Sequence, residues 1–346
     1  MAAALVLSLP ALSASGWAQL APSPDAPPVS NAPEAPPEDQ SVATFKIQVN
    51  LVDLFFTVKD KNGNLVPHLT QNDCSVAEDK SPQTLKHFVA ETNQALTLGI
   101  LLDTSGSQEQ VLPLEQQAGS RFLSQVLRQK DEAFLASFDV NIDLLQDYTN
   151  SPRLLSHAMD KAEINTAGGN GAGGVPGMGG GPVPVHGTPK GTLLYDAVYM
   201  AASQKMTQEA GRKAMIILTD GDDQGSSHKI GEAIAAAQKN NVIVYVILIA
   251  DTGFYGNFGM GYYGYSAAKR LSDETGGRLI NVGNKADKLE AAFQQIQEEL
   301  RTQYVATYTP SNAKQDGTFR HIAVECKGDG LKVQVRKGYF APSAGN

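Results

Sequence analysis

Between Leu96 and Tyr304, short apolar runs alternate with amphipathic segments, and this alternation restricts the fold more than any other feature of the 346-residue chain. The runs are Leu96–Leu102, Ala133–Phe138, Met215–Leu218, Val242–Ile249 and Leu279–Val282. Both alternating positions are apolar in them, so they read as strands covered on both faces, the pattern of a parallel sheet. Helical spacing falls between them, over 111–127, 154–162, 193–205, 230–239, 266–274 and 286–304. A short run at 142–145 follows the second strand after a tight turn and reads as an antiparallel edge. Alternation of this kind predicts an α/β fold, a doubly wound and mostly parallel sheet with helices on both faces.

The flanks have a different rhythm. Residues 45–93 hold β-branched and aromatic runs, with an Asn-Gly hairpin signal at Asn62-Gly63. About 50 residues is thin for a self-sufficient core. β character returns over 303–342, directly after the last helix. An orphan β piece on either side of one α/β region suggests a single discontinuous β-sandwich, with the α/β region at 95–302 inserted in it. Cys74 and Cys326 fall one in each piece, and either a bridge between them or two buried thiols fits.

Residues 1–20 are an apolar stretch followed by small residues, with Gly16 and Ala18 at −3 and −1 of a cleavage site after Ala18. They read as a signal peptide without a basic n-region. Residues 21–44 are a Pro/Ala-rich linker behind it. Export predicts a periplasmic, cell-surface or secreted protein. No run of 18 apolar residues is present, so no transmembrane helix is expected. The 28 basic and 36 acidic residues give a net charge of −8, which argues against nucleic acid as a partner.

Chemistry-bearing residues gather at strand ends, where open α/β sheets bind ligands. Asp103-Thr-Ser105-Gly-Ser107 closes the first run and places oxygens at i, i+2 and i+4. Thr219-Asp220-Gly221 closes another, and Gly191-Thr192-Leu-Leu-Tyr-Asp196 sets a threonine at a helix start. Hard oxygens in compact loops suit Mg²⁺, with Mn²⁺ or Ca²⁺ left open.

These three motifs, in this order, resemble the von Willebrand factor A (VWA) domain over roughly 95–300. The resemblance implies a metal-ion-dependent adhesion site whose shell would be Asp103, Ser105, Ser107, Thr192 and Asp220. Only two carboxylates neutralise such a cation, so its open position could accept an Asp or Glu of a protein partner. The flanks, from Val58-Lys-Asp-Lys-Asn-Gly-Asn to Arg336-Lys-Gly-Tyr-Phe-Ala-Pro, are similar to an exported bacterial VWA-related family. The implied function is metal-dependent protein binding in adhesion or complex assembly. The alternative is a structural subunit of an envelope complex whose metal site is not essential.

Two loops depart from an ordinary composition. The Gly-rich insert 167–187 precedes Thr192; its Gly169-Asn-Gly-Ala-Gly-Gly174 lacks the flanking strand and helix that a dinucleotide site needs. The segment 254–265 holds six aromatics in 12 residues, among them Tyr262, Tyr263 and Tyr265. Tyrosines supply contact area at low entropic cost, so these three are expected to extend a partner-binding surface. No Gly-x-Ser-x-Gly elbow or paired-aspartate phosphoryl-transfer motif occurs, so a binding protein rather than an enzyme is expected, and the sequence does not give the oligomeric state.

Overall fold

The computed structural model describes residues 51–91, 94–165, 191–249 and 263–343, all within one unit, Val49–Asn346. The expected signal peptide, the linker and the Gly-rich insert lie outside the described residues, as do Tyr262 and the side chain of Tyr263.

The chain opens with β1 (Val52–Lys59), β2 (Cys74–Glu78), β3 (Ser81–Gln83) and β4 (Leu85–Glu91). The α/β part follows as β5 (Leu96–Asp103), α1 (Leu112–Val126), β6 (Glu132–Phe138), β7 (Ile142–Thr149) and α2 (Pro152–Met159). It continues through α3 (Leu194–Met200), β8 (Arg212–Thr219), α4 (Ile230–Lys239), β9 (Val242–Leu248), α5 (Tyr263–Thr275), β10 (Leu279–Asn281) and α6 (Ala286–Arg301). Four strands close the chain: β11 (Gln303–Tyr308), β12 (Phe319–Cys326), β13 (Lys332–Val335) and β14 (Gly338–Phe340).

The six central strands run in the order β10-β9-β8-β5-β6-β7. All pairings are parallel except β6 with β7, which is the antiparallel edge. Every residue of β5, β8 and β9 is buried, as two helix-covered faces require. On one face Leu96, Leu98, Ile100 and Leu102 pack with α1, α2 and α6; on the other Leu101, Met215 and Ile217 pack with α3, α4 and α5. The doubly wound α/β arrangement read from the sequence is therefore present.

One helical expectation needs correction. Residues 193–205 do not form a single α-helix: α3 ends at Met200 and a wide π-type turn covers Ala201–Lys205. The extra residue in such a turn accompanies the burial of Ala201, Ala202 and Met206 together. A 3.6-residue period does not contain that information.

The remaining strands form two antiparallel sheets, β13-β1-β11-β4 and β14-β12-β2-β3. Each combines strands from before and after the α/β part. Leu54, Phe56, Tyr304 and Tyr308 of the first share one core with Val76, Ile322 and Val324 of the second. Cys74 and Cys326 stand directly opposite in β2 and β12, with Cα atoms 4.0 Å apart, and their sulfurs are bonded. The two-thiol alternative is not realised. Buried Glu299 of α6 fastens the sheets to the α/β part, its Oε1 lying 2.6 Å from Lys59 Nζ and 3.1 Å from Arg278 Nε.

Candidate metal site

Strand order reverses between β5 and β8, which pair in register up to Leu102 and Leu218. Their connections leave in opposite directions and open a crevice at the carboxyl ends. Asp103 and Thr219 are the last residues of these two strands.

Asp103 is fully buried. Its Oδ1 accepts the Ser105 N–H at 3.0 Å and the Ser105 hydroxyl at 2.6 Å; its Oδ2 accepts the Thr219 hydroxyl at 2.6 Å. Ser105 Oγ lies 3.0 Å from Ser107 Oγ, and the Ser107 hydroxyl also bonds Asp220. Asp220 Oδ1 accepts the Asp222 N–H at 3.1 Å. Thr192 arrives from the segment before α3, and its carbonyl accepts the Gln224 N–H at 2.8 Å. Ser105, Ser107, Thr192 and Asp220 thus line one cleft of about 220 Å³, with Asp139, Asn165, Asp222 and Gln224 completing its walls. Asp103 sits behind this lining rather than in it.

The loops are held by short polar bonds. Asp223 accepts the Tyr195 N–H at 3.0 Å and Ser226 Oγ accepts the Asp196 N–H at 3.0 Å, capping the start of α3. Asp196 in turn accepts the Ser227 and His228 N–H groups, each at 2.8 Å. The loop after β8 and the helix after Thr192 are therefore one bonded unit. Gly221 has φ +82°, and a Cβ there would sit 2.5 Å from the Gly264 carbonyl oxygen. A Cβ on Gly264 would likewise meet the Asp220 carbonyl oxygen at 2.5 Å, so the start of α5 rests backbone-to-backbone on the Asp220 loop.

Charge is concentrated here with one sign. Burial foremost, and then the Asp220 charge, pushes the Asp103 carboxyl up to about 7. Burial also raises Asp220. None of the described lining residues is basic. Hydroxyls with carboxylates and no basic neighbour are a donor set that fits a hard divalent cation. No group of three or more His, Cys, Asp or Glu placed to hold a metal is found among the described residues, so hydroxyls would supply much of any shell.

Four of the five residues read from the sequence as metal ligands meet at the cleft, and the fifth, Asp103, orders Ser105 from behind. Tyr265 is exposed at 42%, one residue beyond the Gly264 contact. Sequence reading missed Asp139, although it directly follows β6 at the same sheet end. Its Oδ2 accepts the Thr104 hydroxyl at 2.8 Å and its Oδ1 the Asn165 amide at 3.0 Å. Thr219 was read only as part of the Thr-Asp-Gly motif, and its hydroxyl proves to donate to Asp103 Oδ2 at 2.6 Å.

No family model and no curated protein matches the sequence. Solved structures similar to it include a von Willebrand factor type A protein from Catenulispora acidiphila, at 11% identity and TM-score 0.47 over 87% of this chain and 76% of that one. BatB from Bacteroides thetaiotaomicron, a conserved hypothetical protein, is similar at 16% identity and TM-score 0.42 over 60% and 99%. Proximal thread matrix protein 1 from the mussel byssus, in a structure described as having a zinc-occupied MIDAS motif, is similar at 14% identity and TM-score 0.46 over 65% and 50%. All three likenesses have TM-scores below 0.5.

Proposed function

We propose that this chain is an exported, cation-dependent protein-binding module for adhesion or complex assembly. Ser105, Ser107, Thr192 and Asp220 would hold Mg²⁺ at the top of the sheet, with Asp103 ordering Ser105 and neutralising charge. The cation would supply an open coordination position for an Asp or Glu of the partner. The observation that carries this reading is the convergence of three separate chain segments on one oxygen-lined cleft at the strand-order reversal. Tyr262, Tyr263 and Tyr265 would extend the binding surface, a reading supported by the packing of Gly264 on the Asp220 loop.

The test is capture of envelope proteins by the full chain and by Asp103→Ala, each with Mg²⁺ or with EDTA. Capture by wild type in Mg²⁺ alone, lost in the variant, supports the proposal. Capture indifferent to both changes overturns it. Replacing Tyr265 by Ser should weaken capture without changing Mg²⁺ affinity.

A further inference from the structure

Asp139 follows β6 directly and lines the cleft, yet both of its carboxylate oxygens are engaged within the chain. Oδ1 accepts the Asn141 N–H at 2.9 Å and the Asn165 side-chain amide at 3.0 Å, while Oδ2 accepts the Thr104 hydroxyl at 2.8 Å. The bond from Asn141 closes an Asx turn, in which an aspartate oxygen takes the place of a backbone carbonyl. Asp139 and Thr104 are both buried, so water competes little for these bonds.

The backbone at the same turn carries two sides of the proposed cation site. The Phe138 carbonyl accepts the Thr104 N–H at 2.9 Å, one residue ahead of Ser105. The Asp139 carbonyl accepts the Leu193 N–H at 2.9 Å, one residue beyond Thr192. Thr192 is thus held from both directions, since its own carbonyl receives the Gln224 N–H. Asn165 completes a ring, its N–H donating to the Thr104 carbonyl at 3.0 Å while its side chain donates to Asp139. Mg²⁺ demands near-ideal octahedral geometry at short range, whereas the larger Ca²⁺ accepts irregular, flexible shells. Fixed spacing between ligand segments therefore favours Mg²⁺, and loosening them costs Mg²⁺ more than Ca²⁺.

We propose that Asp139 is a positioning residue of the cation site, whose carboxylate fixes the Ser105 loop against the Thr192 segment and so sets a preference for Mg²⁺ over Ca²⁺. The inference rests on the cation-binding reading above. Asp139 is not assigned as a ligand, because its oxygens are taken up by three donors.

The experiment is titration calorimetry of the full chain with Mg²⁺ and with Ca²⁺, for wild type, Asp139→Ala, Asp139→Asn and Thr104→Val. Asp139→Ala should weaken Mg²⁺ about 10- to 100-fold, the usual effect of losing a partner behind metal ligands. Ca²⁺ should weaken less, so the preference narrows. Asp139→Asn keeps an acceptor for Asn141 and Asn165 and turns its amide to the Thr104 hydroxyl, which can rotate to accept. It should retain the preference even where both affinities fall with the lost charge. Thr104→Val removes one donor and keeps the test open if the Ala variant folds poorly; it should narrow the preference in the same direction. In EDTA, the Leu193 amide of Asp139→Ala should exchange with solvent faster relative to the β9 amides than in wild type. An unchanged Mg²⁺ Kd in Asp139→Ala overturns the inference. So does equal weakening of Mg²⁺ and Ca²⁺ in the Ala and Asn variants alike, which marks Asp139 as a charge only. A wild type that binds cations without preferring Mg²⁺ to Ca²⁺ also overturns it and leaves the cation reading standing. A wild type that takes up no Mg²⁺, Mn²⁺ or Ca²⁺ overturns the cation reading and this inference with it.

Discussion

The Thr219 hydroxyl donates to Asp103 Oδ2 at 2.6 Å, tying the ends of β5 and β8 together at the point where strand order reverses. The same Thr219 oxygen accepts the Gly221 N–H at 3.0 Å and so sets the turn that presents Asp220. Thr219→Val would strand a buried carboxylate oxygen and a backbone donor. The expected cost is about 1–3 kcal/mol for an unsatisfied buried group, read as a lower urea midpoint at unchanged m. Thr219→Ser should restore most of it.

The contact between Gly221 and Gly264 leaves no room for a side chain. Gly264→Ala would push a methyl group against the Asp220 carbonyl, and neither backbone can yield without moving the loop. The expected outcome is overpacking of about 1–3 kcal/mol, visible as a lower unfolding temperature. Mg²⁺ affinity should fall as well, because the displaced loop carries a proposed ligand. Ala at Gly231, where a Cβ meets nothing within 4 Å, is the control.

Bonded Cys74 and Cys326 close a loop of 252 residues in sequence separation. Chain-entropy reasoning gives such a closure about 5 kcal/mol, native strain aside. Replacing both cysteines by serine should therefore lower stability by about 2–5 kcal/mol. Thiol counting under denaturing, non-reducing conditions should find no free thiol in the wild type.

At the other end of the sheet, burial and then the Glu209 carboxyl, which shares a hydrogen bond with Glu132, hold Glu132 above its ordinary value of 4.5. The folded state therefore keeps this proton to higher pH than the unfolded chain does. The stability it contributes is complete below pH 4.5 and is lost as pH rises through the raised value. Glu209→Gln removes the repulsion, so it should raise the unfolding temperature at pH 7 and leave it unchanged at pH 4. The gain should be below about 1 kcal/mol, the range of solvent-screened pairs. Thermal melts of both proteins at the two pH values check this.

Much of the α/β part was legible because burial on both faces leaves a plain mark: β9 is apolar throughout, β5 and β8 are apolar over 98–102 and 214–218, and the ends of β5 and β8 carry oxygen-bearing motifs. The antiparallel edge β7 was legible from its short turn, though it runs to Thr149 rather than stopping near Leu145. Strand order was not, because it depends on which helices cover which face. Asp139 was invisible for a related reason. It lies outside the three motifs, and only the fold brings its donors Thr104 and Asn165 to it. Thr219 was visible in the Thr-Asp-Gly motif, but its bond to Asp103 was not, because it depends on β5 and β8 being neighbours.

The bond between Cys74 and Cys326 also decides what a protease can accomplish. The whole α/β part lies between these two residues in the chain, so a single cut anywhere within it yields two fragments that stay covalently joined through the β-sheets. A nicked molecule would run as two bands only after reduction, and the β-strands on either side of the cut would remain paired. Durability of that kind would serve the export proposed above, since losing one peptide bond would not mean losing the protein.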